Sequence, residues 1–341
     1  MSRPDKGGDF AISAVLEDLD RLQDRPSATG LPRGDARDGE VYVITDAIRT
    51  AIKVAVITGR PLLLGGPPGC GKSSLASYLA RNLGVVYDEF VATEESTPAD
   101  LLWTFDAVRR LGDAQADRLR GGRAGTAAYV EPGPLWWAFD PGSARRRGLE
   151  HAEFERSGLE PAIGPAPVSG SRVTRSGAVV LIDEIDKADL SFCNGLLVPF
   201  GSKQFAVPEL GLVVRTDALV PTWSPLTIIT TNHERDLPDA FVRRCVVLNL
   251  KAPTSEELVE IVERHFTTER LDAEQLAVVE RLANSVGESG ALPSTSEFLD
   301  LVNVALTTPE LHQDPATWAL VEQMTVARVG RGRRLERRWA R

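Results

Sequence analysis

The sequence predicts an α/β fold, in which helices flank a parallel β-sheet and a small all-helical domain follows. The first observation is the alternation of short apolar segments with stretches of helical periodicity, which is typical of strand-helix-strand units. The second is the change after residue 252, where only helical patterns remain. The segments that suit buried strands lie at residues 61–65, 85–87, 178–182, 226–230 and 246–250.

The composition is that of an ordinary globular protein. Of the 341 residues, 43% are hydrophobic and 26% are charged, and a chain of this length holds about two domains. The formal net charge is -9 and the isoelectric point is close to 5.2. A general nucleic-acid coat is not expected from this balance, because such proteins need a basic surface. A local basic patch stays open.

The cysteine pattern and the N-terminus bear on the compartment. Cys70, Cys193 and Cys245 are odd in number, far apart and without metal-ligand spacing, so no disulfide framework or zinc site is expected. A reducing cytoplasm fits best. The N-terminus has no apolar signal core, and no apolar run approaches the roughly 18 residues of a membrane helix. A cytoplasmic protein without a membrane span is therefore expected.

The chain is expected to fall into four parts. Residues 1–40 form a flexible N-terminal arm with a short helix, and residues 41–251 form the α/β domain. Within that domain, residues 140–176 are interrupted by Gly, Pro and Ser and are expected as an insertion loop. Residues 252–310 form the helical domain, and residues 311–341 form a C-terminal helix with an arginine-rich tail.

Several helix starts carry side chains that can accept the free N–H groups of a first turn. Asp46 is expected to cap the first helix of the α/β domain, and Asp272 a helix of the second domain. Two further starts match the capping box, in which a Ser or Thr is followed three residues later by Glu. These are Thr254 with Glu257 and Ser294 with Glu297.

Residues 66–73 read GPPGCGKS and match the phosphate-loop pattern GxxxxGK[ST] in full. A predicted strand precedes them and a predicted helix follows, so backbone N–H groups and a helix dipole would face a phosphate chain. Lys72 is expected to reach the β- and γ-phosphates, and Ser73 to ligate Mg²⁺. The phosphate-loop pattern therefore predicts that the parallel sheet flanked by helices has the P-loop NTPase fold. The predicted nucleotide-binding residues are Gly66, Pro67, Pro68, Gly69, Cys70, Gly71, Lys72, Ser73 and Ser74.

An acidic pair follows the apolar strand at residues 178–182. Because ligands of parallel sheets bind at the carboxyl ends of the strands, Asp183 and Glu184 are expected beside the phosphate loop. Asp183 is expected to hold Mg²⁺ through water. Glu184 is expected to polarise the attacking water as a general base.

Two further features follow the strand at residues 226–230. Asn232 stands at its polar end and is expected to place the attacking water or to contact the γ-phosphate. Arg243 and Arg244 come next, and an arginine supplied to a neighbouring subunit can stabilise a transferring phosphoryl group. The residues alone do not decide which arginine acts.

The order of these motifs resembles that of AAA+ ATPases, and within them the MoxR-like branch. The resemblance covers the nucleotide core at residues 41–250 and a helical lid at residues 253–309. The phosphate loop and the acidic pair are common to many NTPases. The segments more specific to the branch are GRPLLLG at residues 59–65, EPGPL at residues 131–135 and LPDA at residues 237–240.

This resemblance implies roles for the residues above. Asp183 and Glu184 correspond to the Walker B pair, Asn232 to sensor 1 and Arg244 to the arginine finger, whereas Arg243 departs from the acidic residue common in that position. The family forms hexameric rings with ATP between subunits. Its members remodel other proteins, often with von Willebrand A-domain partners. The choice of ATP over GTP rests on the resemblance alone.

Two features depart from the family pattern. Many relatives carry a sensor 2 arginine where the lid helix begins, but residues 293–297 read PSTSE and hold no basic side chain. The second departure is the long segment at residues 140–176. The arginine that usually couples the helical lid to the γ-phosphate is thus absent from residues 293–297.

The preferred function is a MoxR-like ATPase that hydrolyses ATP with Mg²⁺ in a ring and remodels or assembles protein clients. Two alternatives stay open. A nucleic-acid-stimulated NTPase motor of the restriction or defence type is supported by the arginine-rich tail. A nucleotide-binding regulatory switch with slow turnover is supported by the absent sensor 2 arginine.

Overall fold

The computed structural model divides into two compact units. The first comprises Met1–Arg21, Thr45–Gly65 and Leu79–Leu248, and the second comprises Leu22–Ile44, Gly66–Tyr78 and Asn249–Arg341. Residues 1–5 and 23–38 of the expected N-terminal arm, and the arginine-rich tail, lie outside the described residues. The structure describes residues 6–22, 39–116, 118, 121–216, 225–265, 271–288, 293–308, 318, 320 and 321.

Nine strands and fifteen α-helices are described in these ranges. The strands are β1 Leu62–Gly65, β2 Val86–Val91, β3 Trp103–Phe105, β4 Val130–Pro132, β5 Ala178–Asp183, β6 Gln204–Val207, β7 Leu212–Arg215, β8 Leu226–Thr231 and β9 Val246–Asn249. The helices are α1 Lys6–Asp20, α2 Asp46–Thr58, α3 Lys72–Leu83, α4 Pro98–Leu102, α5 Ala107–Gln115, α6 Gly122–Ala127, α7 Pro134–Phe139, α8 Pro141–Arg145, α9 His151–Ser157, α10 Leu190–Gly195, α11 Leu197–Ser202, α12 Asp239–Val242, α13 Ser255–His265, α14 Ala273–Glu288 and α15 Thr295–Thr307.

A five-stranded sheet in the order β2-β5-β8-β1-β9 forms the centre of the first unit. Strand β5 pairs in parallel with β2 and β8, and β8 pairs in parallel with β1. Every residue of β1, β5 and β8 is buried, which is why these strands read as continuous apolar runs. The predicted α/β class and all five predicted strands are confirmed.

The register brings the ends of the central strands to one edge of the sheet. Ile182 pairs with Ile229, so that Asp183 and Thr230 follow as neighbours, and Gly65 pairs with Thr231. The chain therefore enters the phosphate loop from the same edge at which β5 ends in Asp183. This is the edge where parallel sheets bind their ligands.

Two antiparallel pairs stand apart from the main sheet and were not predicted. Strand β3 pairs with β4, and β6 pairs with β7. Their strands have only three or four residues each, too few to give a clear period-two pattern.

The segment at residues 140–176 is more regular than the expected insertion loop. It contains helices α8 and α9, and Pro141 at the first position of α8 has its backbone preset for a helix start. Ala144, Leu149, Ala162 and Val168 are buried. These buried side chains anchor the segment within the first unit, although it is rich in Gly, Pro and Ser.

The cap predicted at Asp46 was wrong by one residue. Thr45 is the N-cap, and its hydroxyl accepts a hydrogen bond of 3.3 Å from the backbone N–H of Ile48. Asp46 is the first residue of α2, where a carboxylate still interacts favourably with the helix dipole. The short helix expected in the N-terminal arm is present as α1, and Lys53 of α2 forms an ion pair with Asp20.

Helices α13, α14 and α15 form a second apolar core, which lies in the second unit. Leu258, Val279, Phe298 and Leu301 are buried in it. The caps predicted for these three helices are confirmed. Asp272 accepts from two backbone N–H groups, and both capping boxes are formed by their reciprocal bonds, Thr254 with Glu257 and Ser294 with Glu297.

Within the described ranges, none of the helices has the length and apolar character that crossing a membrane requires.

Candidate functional site

The phosphate loop joins strand β1 to helix α3 and holds its lysine inside the loop. Lys72 is buried, and its Nζ donates hydrogen bonds of 2.8 Å to the carbonyl oxygens of both Gly66 and Pro67. The ammonium group thus lies against the backbone of the loop. Its described hydrogen bonds to oxygen go to carbonyl groups, and none goes to a carboxylate. A positive charge held there is suited to a phosphate chain.

The backbone of the loop turns through positions that only glycine adopts easily. Gly69 and Gly71 have φ angles of +73° and +85°. A Cβ at Gly69 would lie 1.9 Å from Cβ of Ser294, and one at Gly71 would lie 3.2 Å from the ring of Tyr42. The glycines therefore allow Ser294 and Tyr42 to approach the loop more closely than residues with side chains would.

The first turn of the lid helix contacts the phosphate loop directly. The backbone N–H of Thr295 donates a hydrogen bond of 2.9 Å to the carbonyl of Gly69, and Ser294 caps helix α15. This is the position where a sensor 2 arginine was expected from the resemblance. The structure has a capped helix N-terminus there instead.

The remaining loop residues lie at the start of α3. Ser73 and Ser74 are partly exposed in its first turn. Burial raises the pKa of the Cys70 thiol above its usual range, so the thiol stays protonated near neutral pH and is a poor nucleophile. Cys70 is therefore a small loop residue, without the features of a reactive cysteine.

The acidic pair is organised by a threonine of the neighbouring strand. The hydroxyl of Thr230 donates a hydrogen bond of 2.5 Å to Oδ1 of Asp183 and accepts one of 2.9 Å from the backbone N–H of Glu184. Asp183 and Thr230 are both buried. One hydroxyl thus fixes the carboxylate of Asp183 and the backbone that carries Glu184.

Glu184 leaves the strand in a different direction from Asp183. Its φ angle is +57°, in the left-handed region that costs a residue with a side chain about 1–3 kcal/mol. Its side chain is partly exposed, and Oε2 accepts a hydrogen bond of 2.5 Å from Nζ of Lys187. This hydrogen bond raises the pKa of Lys187, so its ammonium group stays charged at neutral pH.

A further buried carboxylate, that of Asp186, was not predicted from the sequence. Its Oδ2 accepts hydrogen bonds of 3.0 and 2.9 Å from the backbone N–H groups of Asn232 and Glu234. Between them, His233 has a φ angle of +60° and donates its N–H to Thr231 Oγ1. Asp186 thus anchors the turn that carries Asn232. The only sequence signal was a carboxylate two positions after the acidic pair.

A cleft of about 480 Å³ opens at this edge of the sheet. Acidic and basic side chains both line it, and an ion pair between Arg235 and Glu94 lies at its rim. Glu184 is the general-base candidate that lines it. The lining residues are Val91, Ala92, Thr93, Glu94, Glu184, Asp186, Lys187, Glu234 and Arg235.

The arginine pair lies at the end of helix α12. The side chains of Arg243 and Arg244 are exposed, whereas Phe241 and Cys245 on either side are buried. Nη1 of Arg244 donates a hydrogen bond of 2.9 Å to the carbonyl of Ala240. Burial raises the pKa of the Cys245 thiol to about 12, so this cysteine serves as packing.

A family model decides the class of the chain. The model described as AAA domain, dynein-related subfamily, matches residues 61–245, which is more than half of the sequence. The chain belongs to the AAA family. The resemblance to AAA+ ATPases of the MoxR-like branch is confirmed. AAA domains in general are P-loop ATPases that bind ATP and Mg²⁺ and typically oligomerise.

Other known proteins share less with this AAA chain. Protein CbbQ of Hydrogenophilus thermoluteolus is 37% identical over 70 residues, which are 20% of this chain and 24% of that protein. The chain thus matches about a quarter of the length of this curated relative. The remaining length of CbbQ has no counterpart in the match.

Solved structures give a distant likeness in fold. The RuvB Holliday junction branch migration motor of Thermotoga maritima is 17% identical with a TM-score of 0.42, over 81% of this chain and 66% of that chain. A candidate ATPase of Cytophaga hutchinsonii is 15% identical with a TM-score of 0.44, over 93% of this chain and 88% of that chain. At these values the likeness supports no conclusion about function.

The residues of this AAA domain fit a nucleotide and Mg²⁺ by their chemistry. The glycine-rich backbone of the loop and the buried ammonium of Lys72 suit phosphate oxygens. The carboxylate of Asp183 and the hydroxyl of Ser73 are oxygen ligands of the kind that Mg²⁺ takes. Asp183, Glu184 and Asn232 lie together at the sheet edge. The closeness of the phosphate loop to Asp183 stays a prediction.

Proposed function

We propose that this chain hydrolyses ATP with Mg²⁺ as a subunit of a hexameric ring and uses the turnover to remodel or assemble protein clients. The observation that carries the proposal is the pair of hydrogen bonds made by the Thr230 hydroxyl. It donates to the carboxylate of Asp183 and accepts from the backbone N–H of Glu184, at the edge where β1 leads into the phosphate loop. The carboxylate of Asp183 is buried, whereas that of Glu184 is more exposed. Two carboxylates in different environments suit two different tasks in one reaction.

The residues divide the work as follows. Residues 66–74 hold the phosphate chain, with Lys72 balancing the charge of the β- and γ-phosphates. Mg²⁺, when held by Ser73 and Asp183, supplies positive charge that stabilises the phosphate oxygens. Glu184 takes a proton from the attacking water, and Asn232 orients that water.

The ring and its clients rest on the family resemblance. AAA proteins typically oligomerise, and an exposed arginine from one subunit would complete the ATP site of its neighbour. Arg244 is the proposed finger and Arg243 the other candidate. Protein clients, including a von Willebrand A-domain protein as partner, are proposed on the same resemblance.

The test is phosphate release from ATP by the wild type, Lys72→Ala and Glu184→Gln, with nucleotide binding measured separately. The wild type is expected to turn over ATP. Lys72→Ala is expected to lose binding, and Glu184→Gln is expected to keep binding while turnover falls by about 10²- to 10⁴-fold. A Glu184→Gln variant that turns over ATP as the wild type does would overturn the assignment of the base.

A regulatory switch with slow turnover is the second candidate, and one observation favours it. The carboxylate of Glu184 is paired with Lys187 at 2.5 Å, so one oxygen of the proposed base is engaged by this side chain. The switch predicts tight ATP binding without measurable phosphate release, even at concentrations where a ring has assembled. Turnover in the assembled ring would exclude it.

A further inference from the structure

Among the described residues, Arg60 hydrogen-bonds to the backbone of residues 243–245, which carry the arginine pair. Its guanidinium donates hydrogen bonds to three successive carbonyls: those of Arg243, of Arg244 at 3.2 Å and of Cys245 at 2.8 Å. These residues lie more than 180 positions away in sequence. Nε and Nη2 make these bonds, so the two donors are engaged by the segment.

The three carbonyls need such a donor because the chain changes structure at this point. Helix α12 ends at Val242, with Arg243 as its C-cap, and β9 begins at Val246. The last carbonyls of a helix have no partner within it. A planar guanidinium offers several donors in a fixed fork, which suits successive carbonyls better than a single ammonium does.

The segment is also fixed from other sides. Gly59, in the left-handed conformation, ends helix α2 and leads directly into Arg60. The backbone N–H of Val246 then donates to Pro61 at 2.7 Å, and Phe241 and Cys245 are buried. The backbone of residues 243–245 is therefore held while the side chains of Arg243 and Arg244 are exposed.

We propose that Arg60 is a positioning residue that sets the arginine finger for the ATP site of the neighbouring subunit. This rests on the proposed ring ATPase. A finger stabilises charge only when its guanidinium is placed accurately, and small displacements cost much of the rate. Because the described hydrogen bonds of Arg60 go to the backbone of residues 243–245, its loss should impair the neighbour's site and leave ATP binding by its own subunit intact.

The first measurement compares Arg60→Ala with the wild type and with Arg81→Ala. Arg81 also joins distant parts of the chain, since it donates to the carbonyl of Ser169 at 2.9 Å, and it is the matched control. Arg60→Ala is expected to lower kcat about tenfold or more while ATP affinity changes by less than about twofold. Wild-type turnover by Arg60→Ala would overturn the proposal.

The decisive measurement mixes two variants that each have low activity alone. Subunits with Arg60→Ala keep their phosphate loop, whereas subunits with Lys72→Ala keep their finger. In an equal mixture that assembles at random, about a quarter of the sites combine an intact loop with a neighbour's intact finger. Turnover is therefore expected to rise well above that of either variant alone.

A parallel mixture of Arg244→Ala with Lys72→Ala separates the positioning role of Arg60 from the proposed ring ATPase. If this mixture regains activity and the Arg60→Ala mixture does not, the positioning role of Arg60 is overturned while the ring ATPase stands. If neither regains activity although mixed rings form, the supply of an arginine across the ring fails, and the proposal for Arg60 fails with it.

If Arg60→Ala forms no ring, Arg60→Lys replaces it, and wild-type turnover by Arg60→Lys overturns the proposal.

Discussion

The hydroxyl of Thr230 donates a hydrogen bond of 2.5 Å to the carboxylate of Asp183, across the boundary between strands β8 and β5. The same oxygen accepts the backbone N–H of Glu184. The carboxylate of Asp183 and the backbone of Glu184 thus depend on one side chain of the neighbouring strand. Their arrangement should respond to changes at Thr230 more than to changes at the surface.

Replacing Thr230 by Val removes this bridge. Two buried polar groups lose their partner, so we expect the free energy of unfolding to fall by about 2–4 kcal/mol. We expect kcat to fall by about 10- to 100-fold, because Glu184 is no longer held. Urea unfolding and phosphate release measure the two effects. Thr230→Ser keeps the hydroxyl and should stay close to the wild type, and a fully active Val variant would contradict the role of the bridge.

Replacing Asp186 by Ala leaves the N–H groups of Asn232 and Glu234 without their acceptor. We expect kcat to fall to the level of Asn232→Ala, with a smaller change in KM for ATP. The double variant should be no worse than Asn232→Ala alone, because both changes remove one function. Asp186→Asn keeps an acceptor oxygen and should recover part of the activity. Additive losses in the double variant would show that Asp186 does not act through Asn232.

Replacing Lys187 by Met removes the charge that holds the carboxylate of Glu184. Both side chains are partly exposed, at 44% and 32%, so the pair is screened by water. Since such pairs contribute up to about 1 kcal/mol, basal turnover should rise by at most about fivefold. Lys187→Arg retains the pair and is the control. A loss of turnover in Lys187→Met would instead mean that Lys187 positions the base for reaction.

Asp88 should make stability depend on pH. Burial raises the pKa of its carboxyl from 3.8 to about 6, so the folded protein binds this proton more tightly than the unfolded chain. Its favourable contribution is present below pH 4 and is lost as the pH rises through 6. Asp88→Asn should therefore stabilise the protein at pH 7, by at most about 3 kcal/mol, and less so at pH 5.

Asp20 provides the opposite control for this measurement. Its hydrogen bond with Lys53 lowers the pKa of the Asp20 carboxyl, so Asp20→Asn should destabilise the protein at pH 7. Urea unfolding at pH 5 and pH 7 tests both variants. A gain for Asp88→Asn of the same size at both pH values would show that the effect comes from packing and not from the charge.

Much of the fold could be predicted because its signals are local. The buried strands are continuous apolar runs, and the phosphate loop is contiguous in sequence at residues 66–73. Asp183 and Glu184 could be proposed from the sequence because they end such a strand. The caps at Asp272 and Ser294 involve residues only two or three positions apart.

The parts that sequence reasoning missed depend on contacts between distant residues. Thr230 bonds Asp183 47 positions away, and Asp186 bonds Asn232 46 positions away, so both bonds depend on which strands are neighbours. Arg60 reads as an ordinary surface arginine until β9 is known to lie beside β1. Thr45 and Asp46 are both good caps, and only the backbone geometry separates them.

The most direct test of the central claim is phosphate release per subunit as a function of protein concentration, with the oligomer mass recorded in ATP. If each ATP site needs a neighbour's arginine, specific activity should rise with concentration as a ring appears. Glu184→Gln should keep the ring and lose turnover. A wild type that binds ATP but remains monomeric and inactive at every concentration would contradict the ring ATPase.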